Sequence, residues 1–239
     1  MQFSLLTYNL RYNKAVIEIK SLVKKYSPDI LCFQEIATDE PNLQAIEKLG
    51  FKISDYSNSF IKRGKIYGVT TFFNEKKFAL IKSHSFNLPT NFYQVISFLI
   101  YGNKNPRTVL KSEFVCKNIK RRVTIYNIHL TPIATNQLRI RQINNTFGDL
   151  NLNNKNAIII AGDFNYPYGR RRFEQEIHKY NLKEATNNLN FTMEKRILNR
   201  ISVKLKLDYV LYKKLKCVSN EKLLIYRSDH FPVLSTFKI

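Results

Sequence analysis

The chain has 239 residues, 44% of them hydrophobic and 24% charged, enough for one large domain or two small ones around a core. Lys and Arg number 39 against 18 Asp and Glu, a formal net charge of +21. That balance favours polyanions as partners: nucleic acid first, an anionic membrane surface or a phosphorylated small molecule second. Cys32, Cys116 and Cys217 are scattered and follow no metal-binding spacing, which argues against a disulfide framework and suits a reducing compartment. The start "MQFSLLTYNL" lacks the basic and apolar stretches of a signal peptide, and no apolar run reaches the length of a membrane span. The expected location is cytoplasmic.

Strand and helix signals alternate along the chain with no linker-like break, so residues 1–239 are expected to form a single domain. "FSLLTYNL" reads as a strand. A helical face of Ala15, Ile19, Leu22, Val23 and Tyr26 follows, stopped by Pro28. "DILCFQE" reads as a buried strand, and "DEPNLQAIEKLG" as a helix with Pro41 near its start and Gly50 just past its end. "GVTTFFN", "FALIKSHSF" and "TVLKSEFVC" read as successive strands of an antiparallel meander. The apolar stretch 91–103 is too short to span a bilayer, and reads as a core strand, a protruding hairpin or a surface-binding loop.

The second half repeats the pattern. "RRVTIYNIHL" reads as a strand, then a helix carries Ile143, Phe147 and Leu150 on one face. "NAIIIAGDFN" is the most apolar strand, a helix is expected from about Arg171 to Tyr180, and "KLKLDYVLY" and "FPVLSTFKI" read as the closing strands. Two strand-and-helix halves predict an α/β fold of two sheets packed face to face with helices outside.

Polar residues interrupt these strands at their ends. Asn9 ends the first, Gln34 and Glu35 the second, His129 the "YNIHL" strand, and Asp163 and Asn165 the isoleucine strand. Asp208 interrupts "LDYVL", and Ser228, Asp229 and His230 precede the last strand. A carboxylate beside a run of isoleucines is costly unless a cation or hydrogen bonds satisfy it. Residues i and i+2 of an extended segment point the same way, so Asp163 and Asn165 can converge on one centre, with Asp208 placed to orient the His230 imidazole. Hard oxygen ligands without a Cys/His cluster suit Mg²⁺ or Mn²⁺ rather than zinc. Each residue alone also fits a turn, a cap or a structural hydrogen bond. The recurrence at almost every buried strand is what separates the two readings.

Six motifs carry a resemblance. "TYNL" at Thr7–Leu10, "QE" at Gln34–Glu35, "NIHL" at Asn127–Leu130, "GDFN" at Gly162–Asn165, "LDYVL" at Leu207–Leu211 and "SDHFPV" at Ser228–Val233 occur in order. Together the chain resembles the endonuclease/exonuclease/phosphatase superfamily, the fold of deoxyribonuclease I. The resemblance implies a four-layer α/β/β/α sandwich and hydrolysis of a phosphate ester by water with a divalent metal. It implies Glu35 as the principal Mg²⁺ ligand, supported by Asn9 and Asp229, with Mn²⁺ as the alternative ion. Asp163 would orient or deprotonate the water, and Asn165 would hold a phosphate oxygen. His230, paired with Asp208, would bind the phosphate or serve as base. His129 would contact the phosphate or protonate the leaving oxygen. The histidine in "NIHLTP" resembles the deoxyribonuclease I, sphingomyelinase and deadenylase branches rather than the abasic endonucleases, which carry tyrosine there.

Arg170, Arg171 and Arg172 follow the "GDFN" loop at the expected start of a helix, where phosphate is favoured. Tyr166 and Tyr168 flank Pro167 and are candidates for stacking on bases, or for packing around the loop. Arg11, two residues after Asn9, stands where related endonucleases often carry an acid, and joins the candidate phosphate contacts. Further basic stretches at Ile61–Lys65, Lys117–Arg122 and Lys195–Lys206 spread the charge widely, which suits a long phosphate backbone. The expected function is a Mg²⁺-dependent nuclease acting on DNA or RNA. The alternative is a phosphatase or phospholipase-C-like hydrolase of inositol phosphates or sphingomyelin-type head groups.

Overall fold

A computed structural model describes residues 1–90, 107–132, 134–150, 156–197 and 201–239. The apolar stretch 91–103 lies outside the described residues, and so does the tip of the basic run at 198–200.

The first half folds as β1 (Gln2–Asn9), α1 (Ile19–Tyr26), β2 (Ile30–Ala37), α2 (Glu40–Glu47), β3 (Lys52–Lys62), β4 (Lys65–Phe73) and β5 (Phe78–Asn87). The second continues as β6 (Thr108–Cys116), β7 (Arg122–His129), α3 (Asn136–Gly148), β8 (Ala157–Asp163), α4 (Arg170–Lys179) and β9 (Lys183–Glu184). It closes with β10 (Met193–Ile197), β11 (Ile201–Leu205), β12 (Asp208–Lys213), β13 (Lys216–Lys222) and β14 (Val233–Lys238). One six-stranded sheet has the order β13-β14-β1-β2-β4-β3, the other β5-β6-β7-β8-β12-β9, and β10–β11 form a separate two-stranded ribbon. Each large sheet has one parallel pair near its centre, β1–β2 and β7–β8, with every other pairing antiparallel.

The isoleucine run explains the layering. Ile159 and Ala161 of β8 pack with Leu5, Ile30 and Val233 of the opposite sheet, while Ile158 and Ile160 pack with Ile143, Phe147 and Ile177 of α3 and α4. Both faces of β8 are covered, so the strand is apolar throughout instead of alternating. On the other side, Leu6, Tyr8, Leu31 and Phe33 meet Leu22 of α1 and Ile46 of α2. The order of layers is therefore helix, sheet, sheet, helix, as the resemblance implied. Gly162 lets β7 and β8 come together: a Cβ there would lie 2.0 Å from the Ile128 carbonyl oxygen, and its φ is +142°.

Two expectations need correction. The three strands read as one meander are divided, because β4 pairs with β2 and β3 while β5 and β6 belong to the second sheet. "KLKLDYVLY" is not one strand but the end of β11 and the start of β12. The Thr192 hydroxyl accepts both the Leu207 and Asp208 N–H groups, at 3.0 and 2.9 Å, and turns the chain between them. The sequence reading also passed over β3 and β13, edge strands whose polar composition carries little alternation.

Candidate active site

The strand pairing assembles the polar residues. In β8 and its neighbours, Asp163 stands directly opposite His129 of β7 and Asp208 of β12. Asn9 ends β1 beside Gln34 of β2. All of these side chains are buried at one edge of the two sheets.

Glu35 reaches this edge through a bulge. The β2–β4 register shifts between Gln34 and Ile36, and Glu35 has φ +53°, a conformation unfavourable for a residue with a Cβ. The bulge lets Gln34 point between the sheets, where its Nε2 donates to Thr7 Oγ1 and to Asn127 Oδ1 at 3.1 and 2.8 Å. Glu35 is thereby freed to face the site. The loop Arg11–Tyr12–Asn13 holds it, with the Tyr12 N–H donating to Oε2 at 3.1 Å and the Asn13 N–H to the Glu35 carbonyl at 2.9 Å. All three loop residues have left-handed φ values, so the loop is strained in order to hold this one carboxylate.

Asp163 is the hub. Its Oδ2 accepts from Asn9 Nδ2 at 3.0 Å and its Oδ1 from the Asn165 N–H at 2.9 Å, while Asn165 Nδ2 donates to the Leu130 carbonyl at 3.1 Å. The same Oδ2 lies 3.6 Å from His129 Nε2 and 3.7 Å from His230 Nε2, too far for hydrogen bonds. Burial raises the Asp163 pKa to about 7, against the opposing pull of His230. A carboxyl group poised near neutrality suits proton transfer at that pH.

The two histidines are tuned in opposite directions. His230 Nδ1 hydrogen-bonds Asp208 Oδ2 at 2.8 Å. Burial works against the imidazolium, but Asp208 and Asp163 outweigh it and push the pKa up to about 10. That value favours the imidazolium form of His230 at neutral pH. His129 is held well below the usual histidine range, by burial first and then by the cations Arg107 and His230. Arg107 Nη1 meets His129 Nδ1 at 3.1 Å. A guanidinium can only donate, so Nδ1 accepts and the neutral ring carries its proton on Nε2. That Nε2 is buried, has no hydrogen-bond partner, and lies 3.8 Å from Glu35 Oε1. A donor left open in this way needs a ligand atom.

Arg107 was not among the residues singled out from sequence. It is half-buried against the ring of Phe60, 4.4 Å from its centroid, and lies close enough to Glu35 and Asp163 to interact with both charges. One signal was present: in an antiparallel pairing of "TVLKSEFV" with "TIYNIHL", the residue before the first strand falls beside the end of the second.

The residues present fit a divalent cation. Burial raises the Glu35 pKa and Asp229 raises it further, against Arg107 and His230. Among the described residues no hydrogen bond reaches Glu35 Oε1. Glu35 and Asp229, with the amide oxygen of Asn9, offer oxygen ligands of the hard kind. Asp163, Asp208 and His230 also place ligand atoms within 4.8 Å of one another. There the His230–Asp208 hydrogen bond already occupies the ring Nδ1.

The rim differs from expectation at three positions. Tyr166 is 2% exposed and packs on Phe173, with its hydroxyl donating to the Gly169 carbonyl at 3.3 Å, so it offers no face to a base. Tyr168 is exposed. Arg170 is bound to Glu174 at 2.7 Å and to Glu184; all three arginines at the start of α4 are exposed, and Arg170 is the one of them held by carboxylates among the described residues. Arg11 lies 3.5 Å from Asp229 Oδ1 and neutralises that carboxylate instead of standing free.

Comparisons with known proteins follow this geometry. No curated protein sequence matches the chain. Among solved structures, the catalytic domain of human nocturnin with bound sulfate has a TM-score of 0.77 at 20% identity, covering 99% of this chain and 94% of that one. A mannosyl-6-phosphatase from Bacteroides thetaiotaomicron has a TM-score of 0.74 at 17% identity, covering 99% and 100%. ANGEL2, a 2',3'-cyclic phosphatase, has a TM-score of 0.74 at 17% identity, covering 99% and 95%. At these identities the likeness concerns the fold. The sequence profile of the endonuclease/exonuclease/phosphatase family matches residues 6–230, a span that runs from β1 to His230. The chain belongs to the endonuclease/exonuclease/phosphatase family of phosphate-ester hydrolases.

Proposed function

We propose that this chain is a Mg²⁺-dependent phosphodiesterase that acts on nucleic acid. One arrangement carries the reading. Asp163 Oδ2 stands between two outward imidazole nitrogens at 3.6 and 3.7 Å, and neither gap is closed by a hydrogen bond. The net charge of +21 favours a nucleic acid as the source of the phosphate.

A phosphodiester repels an anionic nucleophile, so charge must be neutralised before water attacks. The His230 imidazolium, fixed by Asp208, supplies a full positive charge and a donor on Nε2. The half-buried Arg107 adds a second charge nearby. Asp163, aligned by Asn9 and the Asn165 backbone, takes the proton of the attacking water as the new P–O bond forms. The neutral His129 donates a hydrogen bond from Nε2 to the departing oxygen as the ester bond breaks; that oxygen then takes its proton from solvent, and Asp163 returns its own to solvent. Glu35, Asn9 and Asp229 would hold the Mg²⁺ or Mn²⁺ ion, which when bound polarises a phosphate oxygen and stabilises developing charge.

The test is p-nitrophenolate release from bis(p-nitrophenyl) phosphate. Chelation should stop turnover and added Mg²⁺ restore it, and Asp163→Asn should lower kcat by about 10²–10⁴-fold. Turnover that survives chelation, or an Asp163→Asn protein as fast as its parent, contradicts the assignment.

A further inference from the structure

Outside the reaction centre, the ribbon β10–β11 belongs to neither large sheet, yet it is fastened to the segment that bears His230. Met193 bridges to His230, the Glu194 N–H donates to the Asp229 carbonyl at 2.7 Å, and the Phe231 N–H donates to the Thr192 carbonyl at 2.7 Å. The ribbon thus starts at the edge of the site.

Its surface is basic and backed by aromatic rings. Lys195, Arg196 and Lys204 are exposed, with Glu194 the one acid among the described ribbon residues, 3.9 Å from Lys204. Lys222 Nζ stands 3.1 Å from the centroid of Phe191, and Lys204 Nζ stands 4.9 Å from the same ring. One ring therefore holds two ammonium groups in place. Burial lowers the Lys222 pKa and the charge of Lys204 lowers it further, so the pair repels in the absence of an anion. Beside them Tyr226 is 72% exposed, and its ring meets Phe231, the neighbour of His230, edge-on at 5.5 Å and 84°.

Fixed cations next to an open aromatic ring match alternating phosphates and unstacked bases. In a duplex the bases are stacked on each other and leave nothing for Tyr226 to stack on. A bilayer would favour a contiguous apolar patch, whereas the exposed Ile201, Leu224 and Tyr226 here share the surface with Lys195, Arg196, Lys204 and Lys222. We propose that the ribbon β10–β11, together with Lys222 and Tyr226, is a binding surface for single-stranded nucleic acid that leads the strand to His230. This rests on the nuclease reading above and sharpens its substrate.

The experiment titrates Asp163→Asn protein, able to bind without cutting, with fluorescein-labelled oligo(dT) and oligo(U) of about 15 nucleotides. Anisotropy is read between about 50 and 200 mM salt. The pair Lys204→Gln/Lys222→Gln should weaken binding about tenfold or more and reduce the salt slope by about 1.4, two contacts at about 0.7 each. Tyr226→Ala should weaken it about fivefold or more and leave the slope unchanged. Lys195→Gln/Arg196→Gln repeats the charge test away from the Phe191 ring, in case the first pair disturbs folding. The surface is ruled out if the parent binds neither oligonucleotide, or if every folded variant binds as the parent does. It is also ruled out if only binding to vesicles of phosphatidylcholine and phosphatidylserine responds. Cleavage of single strands by the active chain, with variant affinities unchanged, would leave the nuclease reading standing without this surface. Variant-sensitive binding without cleavage would keep the surface and overturn the nuclease reading.

Discussion

Two charged clusters sit on either side of β12, and they are built on opposite plans. Around Glu184 of β9, whose side chain is buried, each charge is met: Arg170 and Lys206 both reach it, Lys206 at 2.8 Å, and Glu174 takes the other side of Arg170. Around Asp163, the imidazole nitrogens stop at 3.6 and 3.7 Å and the His129 donor has no partner. Closed distances between charges describe a clamp that holds the fold. Open distances between buried, hydrogen-bonded side chains describe a place kept for something else. The contrast also corrects the sequence reading, since Arg170, one of the three α4 arginines read as phosphate contacts, is committed to the clamp.

The largest effect expected from this contrast is at the hub. Asp163→Asn should cost about 10²–10⁴ in kcat while changing stability by less than about 1 kcal/mol, checked by turnover and thermal melting of the same preparation. A loss of activity that tracked a loss of fold would break the distinction. His230→Gln comes next, with about 10²–10³-fold lower kcat for loss of one charged donor to the phosphate.

The cation seat predicts a ligand effect on stability. Mg²⁺ at about 100 times its Kd should stabilise the parent by about 2.7 kcal/mol, and Glu35→Gln should abolish the rise in Tm. The clamp predicts the reverse pattern. Arg170→Ala should lower stability by only about 1 kcal/mol, because Arg170 is exposed and Glu184 keeps Lys206 and the Thr186 hydroxyl, and turnover should stay at the parental rate. The smallest effect is a pH dependence. Burial raises the Glu184 pKa, but its hydrogen bonds from Arg170 and Lys206 outweigh this and leave it lowered from 4.5. Its contribution to stability should be complete above about pH 4.5 and fade as the pH falls through the lower folded value. Acid unfolding of parent and Arg170→Ala should therefore converge at low pH.

The sequence showed the layers because β1, β2, β7 and β8 are apolar and polar in the pattern that two-sided burial demands. It showed Asn9, Glu35, His129, Asp163, Asp208 and His230 because each interrupts such a strand. What it hid were features without a pattern. β3 and β13 are solvated edges. Arg107 stands alone before β6, and only the β6–β7 pairing brings it to His129. The burial of Tyr166 depends on Phe173, seven residues on and in the first turn of α4 past Gly169, and no local rule separates it from the exposed Tyr168. The opposite tuning of the two histidines likewise comes from neighbours distant in sequence, Arg107 for one and Asp208 for the other.

The most direct test of the account is a substrate panel with Asp163→Asn beside the parent in Mg²⁺: single-stranded DNA, RNA, supercoiled plasmid, inositol phosphates and sphingomyelin. The account predicts cleavage of nucleic acid that disappears with Asp163→Asn and with chelation. Inert nucleic acids alongside release of phosphate or head group would contradict it, and would move the same reaction centre to the phosphatase or phospholipase-C-like reading.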